Sequence, residues 1–185
     1  MKAPNPDGTQ VRLQPLRCIH CQTDIPAEME EVVWVCQQCG QAQMLEEGQK
    51  LVAQEIHFHA NVLKDTPGHP FWVAEGRIHM ERYTFWGLNN IDDAMTFWKK
   101  PRTFFVAAFD LPLENVIQWG KYYLQQPIQM KPGIPVDFLP IILEKKDVQA
   151  IADIIAVGIE ASRPDKLKEI HFTLSMSEPE LWILP

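Results

Sequence analysis

Positive charge is scarce in this 185-residue chain: 17 Lys and Arg stand against 24 Asp and Glu, for a formal net charge of −7. Over residues 1–60 the imbalance is steeper, with four cations facing eight carboxylates. Nucleic-acid binding draws most of its affinity from Lys and Arg on phosphates. The balance therefore argues against a nucleic-acid partner and leaves only a local basic patch to support one. Long apolar runs are missing too. Nothing approaches the roughly twenty residues a membrane span needs, so no transmembrane segment is expected. The opening "MKAPNPDGTQ" lacks the apolar core of a secretory signal, and no Asn-x-Ser/Thr sequon occurs. A cytoplasmic location is the expectation. The Walker loop, Gly-x-Ser-x-Gly, His-Glu-x-x-His and Gly-x-Gly-x-x-Gly are all absent, so the common kinase, hydrolase and dehydrogenase routes find no support.

Cysteine is confined to two short pieces, "RCIHC" and "CQQCG", at positions 18, 21, 36 and 39. In a reducing compartment four such thiols are not expected to be disulfides. Two residues between thiolates let one tight turn present both sulfurs to a single tetrahedral ion. The intervening stretch suits a β-hairpin, with the β-branched "EEVVWVC" as the strand leading into the second pair. Gly40 follows Cys39, where a positive φ turns backbone N–H groups toward sulfur; the first pair has Gln22 in that place. A redox Cys-x-x-Cys would need one pair at a helix start, and here two pairs flank a hairpin. Rubredoxin-type iron uses the same ligands, so ligand type alone leaves zinc and iron open.

From about Arg17 to Leu45 the chain resembles a zinc ribbon. The resemblance implies one structural Zn2+ held by Cys18, Cys21, Cys36 and Cys39, with no open coordination position. Such ribbons occur in transcription factors, polymerase subunits and primosomal helicases, so the resemblance specifies a metal far better than a biological role.

The remainder is organised differently. Seventeen of eighteen aromatic residues lie beyond position 50, which places the main core in 51–185. We expect a flexible tail over 1–14, a zinc ribbon over 15–47, and an α+β domain over 51–185 with a largely antiparallel sheet and about three helices. Period-2 alternation predicts long strands at 51–63 and 70–86, the latter with Trp72, Ala74, Ile78, Met80 and Trp86 on one face. Further strands are expected at 103–111 and 138–143, and two more at the carboxy terminus across a turn at 177–180. Helices are expected around 90–100, 113–126 and 145–162.

If the two long strands formed a hairpin about Pro67-Gly68, then His57, His59, Glu75 and His79 would share one face with Glu55 and Arg77. Such a cluster has the donors for a second metal or for acid–base work, although alternating charge is also the ordinary look of a solvated sheet face. "WKKPR" (98–102) is the one compact basic run. Together these features predict a non-enzymatic zinc-ribbon protein acting through contacts with a protein partner. The alternatives are a nucleic-acid-associated factor using the ribbon and an enzyme using the His/Glu face.

Overall fold

The computed structural model describes residues 15–46, 50–85, 89–165 and 167–185; side chains of 86–91 are also outside the description. The expected tail at 1–14 and the placement of Trp86 fall outside these residues. The architecture is α+β, with two sheets and three α-helices among the described residues.

The smaller sheet carries the cysteines. β1 (Val33–Val35) pairs antiparallel with β2 (Ala42–Glu46), matching Val33 with Met44 and Val35 with Ala42. A third strand, β3 (Lys50–Ala53), pairs with the other edge of β2. The single strand expected over 51–63 is thus two strands with different partners. After Gln54, whose N–H reaches Ala42 O, the chain leaves the small sheet and β4 (Ile56–Phe58) joins the larger one. Period-2 alternation carries no information about which strand lies alongside, and the solvated face it suggests for His59 is overturned, since His59 is buried.

The larger sheet is built on β5 (His69–Thr84), sixteen residues long. One edge of β5 pairs with β6 (Arg102–Ala107). Along the other run β7 (Leu167–Met176), opposite Gly76 to Thr84, and then β8 (Glu180–Leu184), opposite His69 to Val73. The last two strands do not fold back on each other across a turn as expected. They follow one another along β5, and the Ser177 N–H to Glu75 O bond carries the pairing through the break. β4 lies beyond β8, parallel to it, so Pro67-Gly68 does not close a β4–β5 hairpin. The segment 138–143 is a loop fixed by isolated bridges, Gly68 to Phe138 and Val33 to Ile141. Two prolines in it and its neighbourhood, Pro135 and Pro140, lack the N–H groups a continuous ladder requires.

Helices α1 (Asn89–Trp98), α2 (Leu113–Gln125) and α3 (Val148–Ala161) complete the fold. The first half of β5 is enclosed on both faces. Trp72 faces a core shared with Val148, Ala152, Ile155 and Ile159 of α3, while Phe71 and Val73 join Val116 and Tyr123 of α2. Fully burying side chains of this size contributes roughly 1.5–3 kcal/mol each. Helices α2 and α3 approach closely at Gly120, where a Cβ would meet Ile155 Cδ1 at 2.3 Å. On α2, Val116, Gly120, Tyr123 and Leu124 are buried while Leu113 is exposed. α3 likewise leaves Ile154 and Val157 toward solvent.

The core also holds an ion network. Arg82, on the inward face of β5, has its Nε 2.8 Å from Glu160 Oε2 and donates to both carboxylate oxygens of Asp165. Trp98 Nε1 and Arg163 Nε also donate to Glu160, each at 2.8 Å. Two cations therefore face two carboxylates, with the side chains of Arg82, Glu160 and Asp165 withdrawn from solvent. Arg82 holds the Asp165 carboxyl below its ordinary range, chiefly by the direct hydrogen bond.

Candidate metal centre

Two tight turns carry the cysteines, and their backbones match bond for bond. In the first, the Gln22 N–H donates to Cys18 O and the Cys18 N–H to Thr23 O. In the second, the Gly40 N–H donates to Cys36 O and the Cys36 N–H to Gln41 O. The residue after each second cysteine has positive φ, 62° at Gln22 and 75° at Gly40. Glycine enters that region freely, whereas a side chain there costs roughly 1–2 kcal/mol. The sequence departure at Gln22 therefore changes the energy of the turn and not its shape.

The turns bring four sulfurs together. Cys18 and Cys39 Sγ lie 3.5 Å apart, as do Cys21 and Cys36 Sγ, and all four fall within 4.8 Å of one another. A disulfide would need about 2.05 Å. Four thiolates at 2.3 Å from a tetrahedral ion would be separated by about 3.8 Å, so the cluster has the dimensions of one metal site. The four cysteines are positioned to bind one metal ion.

Surrounding groups favour thiolates unevenly. Cys21 is lowered to about 6, first by the Thr23 hydroxyl, whose oxygen is 3.3 Å from the sulfur, and then by the Thr23 backbone N–H. Cys18 is lowered chiefly by the Cys21 backbone N–H, with the His20 N–H 3.4 Å from its sulfur adding to the effect against burial. At Cys39 the Gln41 N–H favours the thiolate, but desolvation and the three neighbouring sulfurs push the thiol up to about 12. Four negative sulfurs in this space repel one another, and a divalent cation at their centre removes that repulsion.

A residue with no motif signature holds the first turn in place. Gln43, fully buried on β2, accepts the Ile19 N–H through Oε1 and donates through Nε2 to Arg17 O, both at 2.9 Å. The available sign was a polar side chain between the apolar Ala42 and Met44. Trp34 packs against Cys18, Ile25 and Cys36, and its enclosed Nε1–H finds no acceptor among the described residues. His20 is exposed beside the sulfurs.

The His/Glu group is distributed otherwise. His57 on β4 stacks on Trp182 of β8 at 4.8 Å. Glu75 and His79 are exposed on β5 opposite Thr103 and Thr173, with β8 between β4 and β5. His59 is buried; its Nδ1 accepts the Asn61 N–H and its Nε2–H donates to Gln129 O, so both ring nitrogens are occupied. Among the described residues, the four cysteines alone form a group of three or more metal-ligating side chains at metal-binding distance. In "WKKPR", Trp98 is buried on Glu160, and the Arg102 guanidinium lies over Phe97 at 3.9 Å. Neither offers an open surface for stacking a base.

No protein-family model, curated protein or solved structure matches the chain. Among the described residues no helix is long and apolar enough to cross a membrane.

Proposed function

We propose that the four cysteines hold one zinc ion in a purely structural role, as in a zinc ribbon, and that this cytoplasmic protein works through contacts with a protein partner and not as an enzyme. The observation that carries the proposal is the convergence of four sulfurs, supplied by two turns of the same conformation, into one tetrahedral space. Four thiolates close the coordination shell, leaving no position at which the ion would bind water or substrate as a Lewis acid. The ion then ties together turns that have little apolar core of their own, and binding energy becomes folding energy. A protein-contact role is supported by an acidic surface and by the engagement of His59 and Trp98 inside the fold. Native mass spectrometry with elemental analysis tests the metal: one zinc per chain is expected, and iron or no ion contradicts the proposal. Partner capture with the native chain and with Cys36→Ser/Cys39→Ser tests the role. A protein partner that depends on the intact cysteines is expected, and nucleic acid as the retained species would contradict it.

A further inference from the structure

Two clefts adjoin, the larger of them beside the second cysteine turn. The larger, about 770 Å3, has Trp34, Phe58 and Phe138 among its lining residues, with Cys39 and Gly40 contributing to its wall. The smaller, about 320 Å3, has Phe109, Leu139 and Ile142 as its apolar lining. Glu31 and Pro140 line both. The segments on either side are pinned by the Val32 N–H to Ile141 O bond, 2.8 Å, so the clefts have fixed walls. Their charge is of one sign. Glu28, Glu30, Glu31, Asp110 and Asp137 contribute five carboxylates, and the lining of neither cleft includes Lys or Arg. No ion pair among the described residues neutralises any of the five.

We infer that these paired clefts are a docking surface for a basic segment of a partner protein, one that anchors an apolar side chain in the larger cleft and sets Lys or Arg against the carboxylates. The inference rests on the protein-contact role proposed above and names the surface and the chemistry of the partner. Unneutralised carboxylates around an apolar lining complement a cationic chain with a hydrophobic anchor, and they repel the phosphates of nucleic acids and anionic membranes. Aromatic side chains in a cleft give such an anchor large contact area. The carboxylates set orientation and encounter rate, so binding weakens as salt shortens the Debye length below about 8 Å.

Selection of a random twelve-residue peptide library on the full metal-loaded chain tests this, with Glu28→Gln/Glu30→Gln/Asp110→Asn as a parallel target. Glu31 is kept because its Oε2 accepts the Glu28 N–H and shapes the turn. The three replaced residues are exposed, and unchanged metal content and melting would show that the variant is folded. Enriched peptides are expected to carry two or more Lys or Arg around an aromatic or branched aliphatic residue, and to lose at least tenfold in affinity on the variant. No enrichment, an acidic or neutral consensus, or equal binding to both targets overturns the surface. Equal binding to both would leave the protein-contact role standing, with its surface elsewhere. Submicromolar binding of the same chain to a DNA or RNA oligonucleotide would overturn that role as well.

Discussion

The cysteine turns and the body of the protein are held by different physics. Among the described residues the buried apolar cluster around the sulfurs is Cys18, Ile25 and Cys36, with Leu16, Cys21 and Trp34 packed against it. The turns owe their shape to backbone hydrogen bonds, to the Gln43 clamp and to whatever neutralises four thiols. The body buries two large clusters on the faces of β5, and neither includes a cysteine. Between the two lies the small sheet, whose Val33, Ala42 and Met44 belong to the body's core while the turns at its ends belong to the sulfurs. If the proposed ion is bound, a few tens of residues too small to bury a core acquire order by borrowing: one face from a neighbouring core, and the far end from the ion.

The comparison is broken most severely from inside the body. Glu160→Ala should lower stability by about 3–5 kcal/mol, because Arg82 is left as a buried charge with one anionic partner fewer. Urea unfolding measures the loss, and metal content per folded chain should not change. Gln43→Ala should do the reverse. It strands the Ile19 N–H and the Arg17 carbonyl, costing about 1–3 kcal/mol. By loosening the first turn it should weaken metal binding about 10–100-fold, read by chelator competition, with the main unfolding transition shifted only modestly.

Acid sharpens the contrast within the body. Asp165 is held below its ordinary range by Arg82, so the folded chain binds fewer protons there than the unfolded chain. Its contribution is complete above the unfolded value near 3.9 and is lost as pH falls through the folded value. Asp165→Asn should therefore be less stable at neutral pH and show a shallower loss of stability below about pH 4, followed by urea midpoints across pH. The smallest effect belongs to the turns. Gln22→Gly should stabilise the protein by about 0.5–1 kcal/mol, since the strain at φ 62° is relieved and part of the gain returns as unfolded-state entropy.

The four-cysteine cluster was legible in the sequence because its geometry is local: two Cys-x-x-Cys turns impose their own shape, although of the two positive φ values only Gly40's was announced by its residue type. The second half of β5 was equally legible, because alternation from Ala74 to Arg82 reports directly on burial, whereas 70–74 are buried on both faces and show none. Partners were not. Leu51–Ala53 and Ile56–Phe58 alternate as one strand yet pair with different sheets, and the choice is made by side chains far away in sequence. That choice also dispersed His57, His59, Glu75 and His79. The buried polar groups left a sign that is easy to pass over. Arg82 sits at the inward parity with Ile78 and Met80, and Gln43 sits between Ala42 and Met44. A charged side chain on an apolar face, or an amide within a buried run, points to a partner inside the fold, which sequence alone does not name.

Hydrogen exchange with mass spectrometry, run on the metal-loaded chain and on the same chain after chelation, tests the division of labour most directly. Protection is expected to be lost over 16–25 and 36–41 when the ion is removed, while Ala42–Met44 and the strands on β5 keep theirs. Loss spreading through 69–84 and 167–184, or unchanged protection in both cysteine turns, would contradict it.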